Sequence, residues 1–256
     1  MNNIGIKELK YLKNLKQKKY RKMHKKLIVE GENMISQLLD NGKTLDSIYI
    51  TKKYAENHLK HLEKHFKHKA DTYNIKLISE AEIKALTDTE SPQDIIACAS
   101  FELSPIKENG NLLYLDGIQD PGNMGTIIRT ALAAGIDGVL ISPESCDIMN
   151  PKVVRASLGA VFFCPIAFKN IEYLQQSKHQ IIAFTLDNAK PMYELKSVDK
   201  QSIIVIGSET QGVSKAVLEL ANEKIFIPMT NKIESLNAAV STGIALYYIK
   251  GLAINE

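Results

Sequence analysis

The feature that most constrains this chain is an alternation of short apolar segments with helical segments, and it occurs twice. The first run predicts strands at residues 27–30, 47–50, 74–78 and 94–99, and the second predicts strands at residues 112–115, 139–141, 181–185, 203–206 and 225–227. Strands that alternate with helices are typical of α/β layer proteins. With 256 residues, the chain has the length of two such domains of unequal size.

A turn-rich, polar segment separates the two runs. Residues 103–110 contain a proline and an Asn-Gly pair, which is typical of a connection between domains. We therefore predict a first domain over residues 1–102, a linker over residues 103–110 and a second domain over residues 111–256.

Composition excludes several classes of protein. Apolar residues make up 45% and charged residues 24% of the chain, as in ordinary globular proteins. No apolar run approaches the roughly 20 residues of a membrane helix, and no apolar stretch follows the basic N-terminus as in a signal peptide. Cys98, Cys146 and Cys164 are widely spaced and form no CxxC pair, which excludes a disulfide framework and argues against a cysteine-rich zinc site. We expect a cytoplasmic protein.

Positive charge is concentrated in the first half of the chain. Residues 1–105 hold 19 basic and 14 acidic residues, whereas residues 106–256 hold 13 and 15. The densest basic run, residues 18–26, includes Tyr20 and His24. This distribution predicts a polyanionic partner for the first domain, although a solvated lysine-rich helix has the same composition.

The first segment able to carry chemistry covers residues 120–135. Gly122 and Gly125 permit a sharp turn, and Asn123 is predicted to cap the helix that follows. A helix N-terminus after a glycine-rich turn binds anions readily, and Arg129 is near enough to add a bidentate phosphate contact. The alternative is an ordinary capped helix whose arginine faces solvent.

The second segment, residues 206–212, follows the predicted strand at residues 203–206. Gly207 and Gly212 lie at the carboxyl end of that strand, where α/β sheets bind their ligands. Glu209 lies between them and would be costly to bury without a partner. The segment is not GxGxxG and comes too late to begin a dinucleotide-binding unit. An ordinary turn with an exposed glutamate is the alternative.

The third segment covers residues 227–243. Pro228 ends the preceding strand and frees backbone groups for a ligand. Ser235 or Asn237 is predicted to cap the last helix, and small residues along that helix permit a close subunit contact or a tight turn of chain. The alternative is a packed C-terminal helix with its cap.

A fourth feature is a helical face of four histidines. They are His58, His61, His65 and His68. Their spacing puts them on one face and would suit a transition metal, but the lysines of the same stretch oppose a cation. We predict a solvated basic face that touches RNA.

In their order and spacing, the three segments resemble the signature motifs of the SpoU (TrmH-type) RNA 2′-O-ribose methyltransferases, within the SPOUT superfamily. The resemblance covers about residues 111–253. It implies a parallel sheet with a trefoil knot in its C-terminal part, S-adenosylmethionine held in the knot loops, and a homodimer. The first hundred residues resemble the small α/β ribosomal-protein-L30e-like domain that binds substrate in many such enzymes, through the basic helix and residues 29–31 and 91–93.

The family's site residues transfer to matching positions of this chain. The resemblance implies that the cofactor is bound, largely through backbone groups, by Gly207, Gly212, Ile227, Pro228, Met229 and Leu236. It implies polar active-site positions at Asn123, Arg129, Glu209, Ser235 and Asn237. Because arginine stays protonated in proteins, we expect Arg129 to anchor phosphate and stabilise an oxyanion. We expect Glu209 to hold Arg129 or Asn123 in place, and we expect no metal.

Together these expectations predict S-adenosylmethionine-dependent 2′-O-ribose methylation of structured RNA, with ribosomal RNA as the substrate. A tRNA methyltransferase and a non-catalytic RNA-binding assembly factor on the same scaffold are the alternatives. Arg129, Glu209 and Asn237 favour an enzyme, because a binding factor does not need all three. A nucleotide-dependent oxidoreductase would need GxGxxG near the first strand, which this chain lacks.

Overall fold

The computed structural model describes residues 2–57, 74–230 and 232–254. Within these ranges, no helix is long and apolar enough to cross a membrane. The four histidines of the predicted basic face lie outside the described residues, as does most of the helix predicted at residues 52–69.

The chain divides into two compact units. Unit 1 comprises Met1–Glu102 together with Met149–Arg155, and unit 2 comprises Leu103–Ile148 together with Ala156–Glu256. A short stretch of the second half of the sequence therefore belongs to the first unit, which the sequence pattern did not indicate.

Unit 1 is built on a five-stranded mixed sheet. Its strands are β1 (Asn2–Asn3), β2 (Lys26–Glu30), β3 (Leu45–Ile50), β4 (Asn74–Leu77) and β5 (Ile95–Ser100), in the order β1-β4-β3-β5-β2. β3 is parallel to β4 and antiparallel to β5, which is antiparallel to β2. The helices are α1 (Ile6–Asn14), α2 (Lys18–His24), α3 (Glu32–Asp40), α4 (residues 52–57 of the described chain) and α5 (Glu80–Leu86). The strands predicted for this half are confirmed to within a few residues.

Helix α1 packs on this sheet through the apolar face that its sequence predicts. Leu12 and Leu15 are almost fully buried in a core that includes Tyr49 of β3. The Tyr49 hydroxyl donates to Glu8 Oε1 at 2.8 Å, and Lys76 Nζ of β4 donates to both oxygens of the same carboxylate at 2.8 and 2.6 Å. An ion pair therefore fixes α1 to two neighbouring strands.

Arg21 belongs to the interior of unit 1 and not to its charged surface. Its side chain, on α2, is buried, and Nη1 donates to the carbonyl oxygens of Leu15 and Lys16 at 3.2 and 2.6 Å. These carbonyls lie at the end of α1, where helices leave such groups unsatisfied. The exposed charge of the run at residues 18–26 comes instead from Lys18, Lys19, Lys22 and Lys25.

Unit 2 contains a seven-stranded sheet whose pairings are all parallel. Its strands are β6 (Leu112–Asp116), β7 (Gly138–Ile141), β8 (Ile166–Phe168), β9 (Gln180–Phe184), β10 (Lys190–Pro191), β11 (Ser202–Gly207) and β12 (Glu223–Phe226), in the order β10-β12-β9-β11-β6-β7-β8. The helices of this unit are α6 (Pro121–Ala134), α8 (Ile171–Gln176), α9 (Lys215–Leu218) and α10 (Ala238–Ile254). Between β7 and β8, the helix α7 (Pro151–Ala156) belongs to unit 1 except for Ala156. The parallel sheet that the resemblance implies is confirmed.

The helices of unit 2 cover both faces of its sheet. On one face, α8 and α9 pack Leu174, Val217 and Leu218 against strand residues such as Val205. Helix α6 packs against α10, which also contacts β11. The connection from β6 to β7 and the connection from β11 to β12 run in opposite directions along the sheet. Because both crossovers are right-handed, α6 and α9 lie on opposite faces.

Helix α6 begins earlier than the sequence predicts. Asp120 is its N-cap, with Oδ1 accepting from the Asn123 N–H at 2.8 Å, and Pro121 takes the first helical position. The prediction that Asn123 caps this helix is therefore wrong. Because Asp120 satisfies the helix end, the Asn123 side chain remains available for contacts elsewhere.

Residues 103–110, expected to be a linker, pack as part of unit 2. Ser104 forms a parallel bridge with Pro165, and Ile106 packs against the core beneath α8 and α9. Lys107 Nζ pairs with Asp137 at 2.9 Å. Although burial favours the protonated acid, this bond and the bond from the Asn111 N–H hold the pKa of Asp137 below its usual value.

Candidate active site

A cavity of about 380 Å³ opens in unit 2 at the carboxyl ends of β9, β11 and β12. Its wall is formed by the residues after β9, the turn after β11 and the segment between β12 and α10. This edge of a parallel sheet is where α/β proteins bind small molecules, and the volume is within the range of such pockets. Five of the expected cofactor residues line the cavity: Gly207, Gly212, Ile227, Met229 and Leu236. Pro228, the sixth, is exposed and does not line it.

The turn after β11 explains both glycines of the second segment. The Gly212 N–H donates to the Ser208 carbonyl at 2.8 Å, and the Ser208 N–H donates back to the Gly212 carbonyl at 3.2 Å. A Cβ on Gly207 would lie 2.0 Å from the Gly212 carbonyl carbon, and Gly212 has a φ of +67°, which favours glycine. The close approach of the chain requires glycine at position 207, and the left-handed backbone favours glycine at position 212. The closed turn that results forms one wall of the cavity.

Asn237 is the N-cap of α10, which confirms one of the two predicted alternatives. Its Oδ1 accepts from the Ala239 and Val240 N–H groups at 2.9 and 3.3 Å, and its carbonyl accepts the first helical bond, from the Ser241 N–H. Ser235, the other predicted cap, lies in the cavity wall. Since the cap uses only the oxygen of the Asn237 amide, its Nδ2 can donate to other groups.

That Nδ2 joins the three segments singled out in the sequence. It donates to Glu209 Oε1 at 2.6 Å and to Asn123 Oδ1 at 2.8 Å. Glu209 Oε1 also accepts from the Ala238 N–H at 3.3 Å, where the positive end of α10 favours a carboxylate. We call Asn123, Glu209 and Asn237 the polar cluster. Its carboxylate lies in the cavity wall.

Arg129 stands apart from the polar cluster. Its side chain on α6 is exposed, and within the described residues it has no hydrogen-bond or ion-pair partner. The contact expected between Glu209 and Arg129 is therefore not made in the described part of the chain. Glu209 binds Asn237 instead, and among the described residues the Asn237 amide is what links it to Asn123.

Sequence reasoning missed one part of the cavity wall. Thr185, Leu186 and Asp187 follow β9 and line the cavity. Their position directly after an apolar strand was the only available signal, because the carboxyl ends of parallel strands meet at one edge. It also missed Asp116 at the end of β6, whose Oδ2 accepts from the Ser214 N–H at 2.7 Å and ties β6 to the chain after β11.

The buried thiols are poor nucleophiles. Burial raises the pKa of Cys98 and of Cys164 to about 12, and the Asp46 carboxylate adds to the rise for Cys98. A thiol with such a pKa is protonated near neutral pH. Among the described residues, no group of three His, Cys, Asp or Glu is placed to hold a metal ion.

Two models of known protein families match the sequence of this chain. The SpoU rRNA Methylase family model matches residues 110–247, and the model of the MRM3-like substrate binding domain matches residues 7–97. The first match covers more than half of the chain. The protein belongs to the SpoU rRNA methylase family.

Relatives match along nearly the whole chain. The 23S rRNA (guanosine(2553)-2′-O)-methyltransferase RlmP of Bacillus subtilis (strain 168) is 29% identical, over 96% of this chain and 100% of its own. A Synechocystis sp. protein described as an uncharacterized tRNA/rRNA methyltransferase is 30% identical, over 93% of this chain and 89% of its own. The AdoMet-bound rRNA methyltransferase from Sinorhizobium meliloti has a TM-score of 0.82 at 26% identity, covering 98% of this chain and 97% of its own. An RNA 2′-O ribose methyltransferase has a TM-score of 0.79 at 25% identity, covering 99% of both chains.

Proposed function

We propose that this protein transfers a methyl group from S-adenosylmethionine to a ribose 2′-hydroxyl of structured RNA, and that the RNA is ribosomal. The polar cluster carries the proposal, because it bonds side chains from three separate segments at the wall of a small-molecule cavity. The activity named for the Bacillus subtilis relative, which matches over its full length, supports it.

The cavity is suited to the proposed cofactor. Leu186, Ile227 and Leu236 offer apolar surface for an adenine ring, and the backbone of the turn after β11 offers donors and acceptors. Asp187 and Glu209 present carboxylates, and none of the described lining residues is Lys or Arg, so the cavity favours a ligand with positive charge. S-adenosylmethionine supplies such a charge as a sulfonium, which activates its methyl group.

The polar cluster aligns the ribose hydroxyl in this proposal. A 2′-hydroxyl is a weak acid, so it needs a fixed orientation and an acceptor for its hydrogen bond. Within the described chain, Glu209 makes both its contacts through Oε1, which leaves Oε2 to accept from the hydroxyl. Asn123 uses its Oδ1 in the cluster and can donate from Nδ2 to a second oxygen of the ribose.

Arg129 binds the RNA backbone in this proposal. Its guanidinium is exposed and is not neutralised by any described residue. It is permanently protonated and forms paired hydrogen bonds to phosphate oxygens. We expect Arg129→Lys to keep the charge yet lose most of the transfer rate, since a lysine cannot make the paired contact.

We further propose that the protein acts as a homodimer through α10. This 17-residue helix is apolar on all sides, with Lys250 as its only charged residue, yet Val240 and Tyr247 are 51% and 55% exposed. With the half-buried Ile244 they form one stripe, and a helix that is apolar all round is normally covered on every side. Light scattering should give twice the chain mass of 28.5 kDa, and Tyr247→Glu should reduce the mass to that of a monomer.

The proposal assigns RNA recognition to the first domain. We propose residues 1–102 as an RNA-binding domain of the ribosomal-protein-L30e-like fold, residues 103–110 as the connection, and residues 111–256 as the catalytic domain with a trefoil knot. The match of residues 7–97 to a substrate-binding domain supports the first part. The return of the chain from β12 to the turn after β11, before α10 begins, supports the knot. We propose the cytoplasm as the site of action, since a bacterial relative is named for ribosomal RNA methylation.

Charge reversal tests the RNA-binding surface. The triple substitution of Lys18, Lys19 and Lys22 by glutamate should weaken RNA binding and flatten its salt dependence, because fewer counterions are released. The control reverses three exposed lysines of unit 2, Lys178, Lys200 and Lys215, which changes the net charge equally. Equal losses from the two triple variants would show that net charge alone, and not this surface, drives binding.

Mapping of ribose methylation tests the activity itself. Total RNA from a strain lacking the gene should lack one 2′-O-methyl group in ribosomal RNA. The wild type and Glu219→Gln, an exposed carboxylate away from the cavity, should restore it, and Glu209→Ala should not. A missing group in tRNA would overturn the ribosomal assignment. An unchanged methylation map, or a growth defect that Glu209→Ala corrects fully, would favour a non-catalytic RNA-binding factor.

A further inference from the structure

A second cavity of about 500 Å³ opens at the same edge of the unit 2 sheet, beside β6. Three carboxylates line it, those of Asp116, Glu144 and Glu172. Tyr114, Gln119 and Gln211 are among its other polar residues. We call this cavity the acidic cleft. It shares Ser208 and Gly212 with the cofactor cavity, so the turn after β11 is a common wall of the two.

The position of the acidic cleft in the fold is one that parallel sheets use for ligands. β6 and β11 are hydrogen-bonded neighbours, and Asp116 and Gly207 are paired at their carboxyl ends. The helices that follow these two strands lie on opposite faces of the sheet. Such a reversal opens a crevice between strand ends, and ligands of α/β proteins bind there. The acidic cleft therefore lies where a substrate is expected.

Tyr114 provides an independent sign of a ligand. The residue is only 2% exposed, yet its hydroxyl has no hydrogen-bond partner among the described residues. This hydroxyl is also absent from the set of unpartnered polar atoms that are completely enclosed by protein. The hydroxyl is therefore not fully enclosed, and because Tyr114 lines the acidic cleft, we infer that the hydroxyl opens there. Burial, with the charges of Asp116, Glu144 and Glu172, raises the pKa of Tyr114, so the hydroxyl stays protonated and can donate. Buried tyrosine hydroxyls usually find a partner.

The charges of the acidic cleft restrict what can bind. Glu144 and Glu172 are exposed, and no described lysine or arginine pairs with them or with Asp116. A phosphate would be repelled, and among the described residues the carboxylates are not grouped as ligands of one metal ion. The acidic cleft therefore suits a group with several N–H donors. On an unmodified RNA, such a group is an uncharged base, because RNA carries no cationic group.

We propose that the acidic cleft binds the base of the nucleotide whose ribose is methylated, and that it selects guanine. Guanine carries a ring N–H next to an amino group, so it can give two parallel hydrogen bonds to one carboxylate, and its O6 can accept from the Tyr114 hydroxyl. Uracil offers a single N–H between two carbonyl oxygens, which the carboxylates repel. Unpaired bases are commonly read in this way, along the Watson–Crick edge. The inference rests on the proposed function and adds the specificity of the same reaction.

Nucleoside binding to the full chain tests this inference. Saturation-transfer NMR on protein loaded with S-adenosylhomocysteine should detect bound guanosine. Inosine, which lacks the amino group, should bind about tenfold more weakly, and uridine should bind more weakly still. The double variant Glu144→Gln with Glu172→Gln should weaken guanosine binding about tenfold, because neutral acceptors replace charged ones. Tyr114→Phe should weaken it severalfold. The matched control Glu219→Gln should leave it unchanged.

The outcomes separate this inference from the function on which it rests. If S-adenosylhomocysteine binds and guanosine does not, or if guanosine and uridine bind equally, the acidic cleft is not a guanine site, while the proposed activity stands. Guanosine binding that is indifferent to all three cleft substitutions would also overturn the inference. Displacement of guanosine by magnesium ions at constant ionic strength would identify a cation site instead. Failure to bind S-adenosylhomocysteine would contradict the proposed function itself.

Discussion

Replacement of Asn237 by aspartate would change one atom of the polar cluster and leave the helix cap in place. Aspartate is as good an N-cap as asparagine, so the N–H groups of Ala239 and Val240 keep their acceptor. The Nδ2 donor, however, becomes a carboxylate oxygen. It would face Glu209 Oε1 at 2.6 Å and Asn123 Oδ1 at 2.8 Å. Two attractive contacts therefore become repulsive while the cap is unchanged.

The size of the effect follows from these contacts. Two carboxylates about 4 Å apart repel by about 1 kcal/mol in water and about 4 kcal/mol at an effective dielectric constant of 20. Glu209 and Asn237 are exposed, so the lower part of this range applies. Rotation of the Asn123 amide, which would then donate, relieves part of the repulsion. We expect Asn237→Asp to lower the free energy of unfolding by about 1–2 kcal/mol, since a lost hydrogen bond adds about 1 kcal/mol.

A second substitution should reverse this loss. Glu209→Gln removes the repelling charge and supplies an amide that can donate to Asp at position 237, so the double variant regains the contact with its direction reversed. We expect a coupling energy of about 1 kcal/mol or more between the two positions. Methyl transfer should stay low in the double variant, because the Glu209 carboxylate that would accept from the ribose is absent.

Urea denaturation of the full chain at pH 7 measures the four proteins of this cycle, with S-adenosylhomocysteine titration as a check of the cavity. Additive effects within about 0.3–0.5 kcal/mol would refute the direct bond between Glu209 and Asn237. Equal stability of Asn237→Asp and wild type would do the same. The matched variant Asn237→Ala loses the cap as well, so it should cost about 1 kcal/mol through the helix end alone.

Three further substitutions test other parts of the structure. Gly207→Ala should abolish S-adenosylhomocysteine binding in a calorimetric titration, because its Cβ would lie 2.0 Å from the Gly212 backbone; retained affinity would contradict the closed turn. Arg21→Ala should lower the midpoint of urea denaturation by more than the exposed Lys22→Ala does, since Arg21 bonds two carbonyls at the end of α1. Burial raises the pKa of Glu8, but the bonds from Lys76 and Tyr49 outweigh burial and hold the pKa below its usual value. Ionised Glu8 therefore stabilises the fold above its unfolded pKa of about 4.3. Glu8→Gln should therefore be less stable than wild type at pH 7, with the difference vanishing as the pH falls below 4; a constant difference would refute the ion pair.

Local patterns in the sequence predicted most of the elements. The apolar segments at residues 203–206 and 112–115 became neighbouring parallel strands, because apolar runs of that length bury well between two layers of helices. The order of the three segments was enough to identify the family. The cap of α6 was predicted wrongly, since both Asp120 and Asn123 can cap a helix and only the start at Pro121 distinguishes them.

The contacts of charged side chains could not be predicted in the same way. Arg21 lies in a run of lysines and nothing in the sequence distinguishes it from them, yet its side chain is buried at the end of α1. Glu209 was expected to hold Arg129 or Asn123 in place, but its side-chain partner is Asn237, which in turn binds Asn123. The partners of such side chains depend on which distant segments of the chain come close together in the fold, and a local sequence pattern does not show this.

The sequence by itself determined the α/β class, most of the strands, the family, and the three segments that supply the candidate site, because each depends on residue type and short-range spacing. It did not predict the short strands β1, β8 and β10. Only the tertiary structure decided that one amide, that of Asn237, caps α10 with its oxygen and joins Glu209 to Asn123 with its nitrogen. It also brought Asp116, Glu144 and Glu172 to one cleft. The physical reason is that hydrogen bonds and charge interactions act over a few ångströms, and the parallel sheet brings to that distance strand ends that are about a hundred residues apart in the chain.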